Sequence, residues 1–134
     1  VVEAAIAQRA ADLRAAATVQ KAIAEAGSGH VLELPTGMPY RQAVEDAAAD
    51  HLLFVVHPRG SDWALNGIRV SDSDFALRAD LPAHWAGLTD DALQAASGIP
   101  GARFCHNGRF IAVADNRDAI LRMAELAVAE ALGR

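Results

Sequence analysis

Asn107-Gly108 stands between two short runs of strand-forming character, Ala102 to Cys105 and Phe110 to Ala114. An Asn-Gly pair in that setting is a strong signal for a tight reversal, so these residues predict a β-hairpin closed over His106-Asn107-Gly108-Arg109. A hairpin alone cannot bury enough apolar surface to be stable, and the rest of the chain must cover one of its faces. The covering elements are easy to find. Leu52-Leu53-Phe54-Val55-Val56 is a continuous apolar run without alternation, expected of an inner strand buried on both sides. Trp63 to Val70 is its expected antiparallel partner, reached by a turn of several residues over His57–Asp62. His30 to Leu34 reads as a further short strand before Pro35, Gly37 and Pro39.

Helical spacing of apolar residues brackets these strands. Val2, Ile6, Leu13, Ala17 and Ile23 mark a long amphipathic helix over Val1 to Ala26, ended by Gly27-Ser28-Gly29. Arg41 to Ala49 reads as a second helix, and Thr89-Asp90-Asp91 caps a third that runs to Ala96 and stops at Ser97-Gly98. Asp115-Asn116 caps the last, whose Ile120, Leu121, Met123, Ala124, Ala127, Val128 and Leu132 form a broad apolar face. Asp72 to Leu88 reads as irregular chain anchored by Trp85 and Leu88. The fold class expected is α/β (α+β): a small mixed sheet of about five strands, flanked by helices, with long N- and C-terminal helices. Residues 1–134 form one domain, with no repeat, linker or composition break.

Composition narrows the function. A formal net charge of −5 speaks against nucleic-acid binding by bulk electrostatics, although a local basic pocket stays open. The single cysteine, Cys105, excludes an internal disulfide and suits a reducing, cytoplasmic setting. No apolar run approaches the roughly 20 residues that span a bilayer, so no membrane association is expected. The start at Val1-Val2, without methionine and already in helical pattern, points to a piece of a longer protein.

The five histidines, His30, His51, His57, His84 and His106, show none of the spacings that put two metal ligands on one element. Cys105 beside His106 is badly placed for a thiolate and its base, because neighbours along a strand face opposite ways. Asp72, Asp74, Asp90 and Asp91 are explained by loop solvation and helix capping. No catalytic residue, metal ligand or cofactor is therefore assigned to this chain. Its chemistry-bearing stretch is Ser97 to Ile111, in which Arg103, His106, Asn107, Gly108 and Arg109 combine two guanidinium forks, an imidazole and close-approach glycine. Those are the groups that grip phosphate, and they are also the groups of an ordinary exposed hairpin. Trp63 and Trp85 are either stacking surfaces for a base or core anchors, and Tyr40 with Arg41 either faces the same pocket or starts a helix.

The order Pro39-Tyr40-Arg41, the Trp63 strand, Leu81-Pro82, Trp85, Gly87-Leu88, Asp91, Leu93, Ser97-Gly98-Ile99-Pro100-Gly101, Phe104, His106, Phe110-Ile111 and Arg122-Met123-Ala124 resembles the C-terminal domain of the Myg family, the melanocyte-proliferating-gene proteins. The resemblance covers about Gly29 to Val128. It implies a relation to DHH-type metal-dependent phosphoesterases and a parent protein that is a 3′-to-5′ RNA exonuclease. A separate N-terminal half would hold the divalent metal, manganese or magnesium. This chain would hold single-stranded RNA or another phosphodiester, with His106, Arg103 and Arg109 on phosphate and Trp63 or Tyr40 near a base. Trp85, Ser97, Gly98, Gly101, His106, Phe110 and Ile111 match the family's motif positions. Where the family usually continues its Phe-Ile pair with two glycines, Ala112-Val113 stand here. Either Arg103 and Arg109 substitute side-chain contacts for close backbone approach, or substrate binding is lost. The alternative function is a structural module that forms a homodimer through its alanine-rich terminal helices.

Overall fold

A computed structural model of the chain describes residues 16–71 and 74–133. The expected helix over Val1 to Ala26 is seen over residues 16–26 (α1), and the rest of that expectation lies outside the described residues. There follow β1 (Val31–Glu33), α2 (Arg41–Asp46), β2 (Phe54–Arg59), β3 (Asp62–Gly67), β4 (Arg69–Ser71) and β5 (Asp74–Leu77). A 3-10 turn (Ala83–Trp85), α3 (Asp90–Ser97), β6 (Ala102–Cys105), β7 (Ile111–Ala114) and α4 (Arg117–Ala131) complete the order. Five strands form one mixed sheet in the order β1-β2-β3-β7-β6, in which only the β1–β2 pair is parallel. β4 and β5 pair separately. The α/β class with a five-strand mixed sheet is thus the observed architecture.

The apolar run of β2 explains its place. Phe54 and Val56 enter a core with Leu65, Ala112, Ala114, Leu93, Ile120 and Met123, so α3 and α4 cover this face of the sheet. Val55 enters a second core with Val19, Leu32, Leu34, Val44 and Ile68, so α1 and α2 cover the other. One strand feeding two cores by alternation is what an unbroken apolar run permits. Among the described residues, no helix is long and apolar enough to cross a membrane.

Five expectations are corrected. His57–Asp62 is not a turn of several residues: β2 runs through Pro58 to Arg59, which pairs with Asp62, leaving Gly60-Ser61 as a two-residue loop with Gly60 at φ 61°. Pro58 is tolerated because its missing N–H lies on the β1 side. The Leu34 amide donates to Val56 O at 2.9 Å, so Val56 faces β1, and Pro58, two residues on, faces the same way past the end of β1. Trp63 to Val70 is not one strand: it divides at Ile68, which is buried and donates its amide to Leu53 O. Asp72 to Leu88 is not irregular throughout, since β5 and the 3-10 turn fall within it. The helix from Arg41 stops at Asp46 rather than Ala49, with Ala48 left-handed at φ 51°. In α4, Asn116 caps as expected, its Oδ1 accepting from the Ala119 amide at 2.8 Å, but Leu132 is exposed rather than part of the buried face.

Candidate functional site

The β6–β7 hairpin closes by His106 N–H to Ile111 O and Arg109 N–H to His106 O, both 2.9 Å. The left-handed residue that such a reversal needs is Arg109, at φ 62°, and not Gly108 beside it. Two contacts hold it there. Its Nε donates to Leu81 O at 2.7 Å, and its carbonyl accepts from the Leu81 amide at 3.1 Å. The Arg109 guanidinium also lies 4.0 Å from the Asp80 carboxylate. The Gly108 amide donates to His106 Nδ1 at 2.8 Å, which makes that nitrogen an acceptor and leaves Nε2 to carry the proton of the neutral ring. The imidazole packs against Phe110 with centroids 4.4 Å apart and meets Phe104 edge-on.

Beside this turn lies a pocket of about 570 Å³. Gly108 and Phe110 line it from the turn, Asn66 and Gly67 from the end of β3, and Arg69, Ala76 and Leu77 from the β4–β5 hairpin. Asp80 also lines it, and Tyr40 and Arg41 enter from the N-terminal end of α2. Gly67 makes this possible. A β-carbon there would stand 2.9 Å from Leu77 Cδ1 and 3.3 Å from Ala79 O, so the bare backbone lets the chain leaving β5 pack closely on β3 without Leu77 and Ala79 giving way. Burial pushes the Tyr40 phenol up, while the nearby positive charges of Arg41, Arg69 and Arg78 pull it down. Two half-buried or exposed aromatic rings, Tyr40 and Phe110, thus share a pocket with two guanidinium groups in a chain that is acidic as a whole.

The expected site residues divide between places. Tyr40, Arg41 and Gly108 are brought together in the pocket. Arg109 borders it through Asp80. Asn107 is exposed at the tip of the turn, where its Oδ1 would stand 3.5 Å from a β-carbon at Gly87. His106 is exposed on Phe110 but does not line the cavity. Arg103 occupies a register shift between Ala102 and Phe104 and lies 3.3 Å from Asp62, while Trp63 packs against the α3/α4 core beside it. Both are at the Asp62 end of β3, away from the Gly67 end that opens to the pocket. Trp85 is buried in the core.

Asn66, Arg69 and Asp80 were not singled out in the sequence. The signal for the first was a polar residue followed by glycine inside an apolar strand, where both carry a cost unless something approaches closely. Arg69 and Asp80 gave no comparable signal.

Cys105 is buried and its thiol is pushed up by burial from 9.0 to about 11, so it is held as the neutral, unreactive form. Among the described residues no three His, Cys, Asp or Glu side chains gather as a metal site would require. His30 and His51 instead tie loops together, through His51 O and Gly27 O respectively.

Residues 2–128 match the exonuclease-type MYG1 family model, described as an uncharacterised protein family (UPF0160). The chain belongs to the MYG1 family. Its relatives include the MYG1 protein of Chlamydia muridarum, 45% identical over 67 residues that cover 49% of this chain and 23% of that protein. The MYG1 exonuclease of Homo sapiens is 30% identical over 129 residues, covering 88% of this chain and 34% of its own length. The MYG1 protein YER156C of Saccharomyces cerevisiae is 28% identical over 108 residues, 76% of this chain and 32% of that protein. The chain thus spans about a quarter to a third of these MYG1 relatives. No solved structure matches it.

Proposed function

We propose that this chain is the substrate-holding, C-terminal domain of a MYG1-type 3′-to-5′ exonuclease, which seats single-stranded RNA in the pocket between α2, the β4–β5 hairpin and the β6–β7 turn. The observation that carries this reading is the joint presence of Tyr40, Phe110, Arg41 and Arg69 around one cavity. Aromatic rings stack on bases whatever their identity, and guanidinium groups hold the phosphate between them. Bond cleavage, and the manganese or magnesium that a DHH-type mechanism uses, belong in this reading to residues outside this chain.

The test is binding of fluorescein-labelled single-stranded RNA by anisotropy, with chelator present to stop cleavage. Intrinsic fluorescence would be a poor reporter, because Trp85 is buried and Trp63 lies at the other end of β3. Tyr40→Ala and Phe110→Ala are each expected to weaken binding roughly tenfold, the scale of one lost base–aromatic stack. Unchanged affinity in both variants overturns the reading. A second reading, a module that pairs two copies through the terminal helices, is supported by the exposed Leu126 and Leu132 of α4 and α4's end. A monomer in sedimentation removes it.

A further inference from the structure

We propose that Asn66 is the specificity-determining residue of this pocket, that it presents its carboxamide oxygen to the 6-amino group of adenine or the 4-amino group of cytosine, and that His57 is the positioning residue that fixes this orientation. The proposal rests on the reading of the pocket as an RNA site and names which bases that site prefers.

The argument begins at Pro58. His57 Nδ1 lies 2.9 Å from Pro58 O. A carbonyl oxygen only accepts, so Nδ1 carries the proton, and the neutral ring is left with Nε2 as an acceptor. Asn66 Nδ2 lies 3.4 Å from that nitrogen and donates to it. His57 pairs with Ala64 and Asn66 with Val55, so the two side chains are diagonal neighbours on one face of adjacent strands. With its nitrogen turned to His57, the atom that Asn66 offers to a ligand is Oδ1. Gly37 of the loop before α2 lies against the outer side of the imidazole and restricts it: a β-carbon at Gly37 would stand 3.3 Å from His57 Cε1. The same loop leads to Tyr40 and Arg41, which line the cavity.

Oδ1 is an acceptor without a proton of its own. The 6-amino group of adenine or the 4-amino group of cytosine can donate to it. Uracil and guanine carry a carbonyl at the equivalent ring position, which would set one lone pair against another, and they reach Oδ1 only by shifting to present uracil N3–H or the guanine N1–H and 2-amino group. A base stacked on Tyr40 or Phe110 with its backbone phosphate toward Arg41 and Arg69 would turn the amino edge toward Asn66, which lines the same pocket.

The experiment compares short oligoadenylate, oligocytidylate and oligouridylate RNAs on the full-length protein, with chelator present, and reads the ratio of affinities. The adenylate and cytidylate RNAs are expected to bind roughly threefold to tenfold more tightly than the uridylate RNA, the scale of one net hydrogen bond. Asn66→Leu is expected to abolish that ratio. His57→Phe, which keeps a ring under Gly37 but removes the acceptor, is expected to narrow it by letting the amide turn, with uridylate binding retained or improved. Equal affinities in the unmodified protein, or a ratio that survives Asn66→Leu, overturn the proposal while leaving the pocket intact if Tyr40→Ala still weakens binding. Loss of the ratio in Asn66→Leu but not in His57→Phe overturns the positioning role. Failure of all three RNAs to bind overturns the RNA reading itself.

Discussion

Two of the antiparallel hairpins, β2–β3 and β6–β7, close in opposite ways. β2–β3 turns on Gly60-Ser61, with the positive φ of 61° at a glycine and nothing within 4 Å of where its β-carbon would be. β6–β7 places a nearly identical φ of 62° on Arg109, although Gly108 is adjacent. A left-handed L-residue costs about 1–2 kcal/mol, a cost that glycine avoids. At Arg109 it is offset by a charge-assisted hydrogen bond to Leu81 O, of a kind worth roughly 1.5–3 kcal/mol when shielded from water. The first turn only closes the sheet. The second holds a segment 28 residues away in the chain, and so fixes Gly108 and Phe110 against Asp80 at the pocket. Strain retained at a turn that builds a site, and relieved at one that does not, is the pattern expected where geometry serves binding.

Four substitutions at three positions test that contrast. The largest effect is expected at the base of the second hairpin, where Gly101 has φ 95° and a β-carbon would stand 2.6 Å from Asp115 Oδ1 and 3.0 Å from Asn116 Nδ2. Gly101→Ala combines left-handed strain with displacement of the α4 cap, and urea denaturation should show a loss of about 2–3 kcal/mol. A loss below about 1 kcal/mol would mean that the hairpin is not tied to α4 through this contact. Next is Arg109→Ala, which keeps the strain and discards the tether, with an expected loss of about 1–2 kcal/mol. Arg109→Gly discards both, and should be more stable than the alanine variant by roughly 1 kcal/mol while still weakening RNA binding. Equal stability of the two would dissolve the argument about strain. The smallest effect is expected for Gly60→Ala, about 1 kcal/mol from conformation alone, with RNA affinity unchanged. A change in affinity there would erase the functional difference between the turns.

Much of the fold was legible from local signals. The left-handed caps at Gly27 and Gly98, the Asn116 cap of α4 and the apolar period of its buried residues are effects within one or two helical turns, and the sequence carries them openly. The second hairpin was located correctly for the same reason. Its turn type was not, since the choice of Arg109 over Gly108 for the left-handed position depends on Leu81. Pro58 read as a strand breaker because the open side of β2 beyond Glu33 is a matter of strand order. β4 and β5 escaped notice because Arg69 to Leu77 mixes serine and aspartate with few apolar residues, and their pairing is settled by what they pack beside.

The candidate site divides the same way. Tyr40, Arg41 and Gly108 were visible as residue types suited to holding a nucleotide, but the residues that complete the cavity, Asn66, Arg69, Asp80 and Phe110, come from four separate segments. By itself the sequence determined where α1 ends, where α3 and α4 begin and which strand is apolar on both faces, because propensity, capping and apolar period act over a few residues. Only the tertiary structure decided which polar side chains meet, because register and close packing, such as that of the chain leaving β5 on the bare backbone of Gly67, set distances between residues that have no local reason to be neighbours.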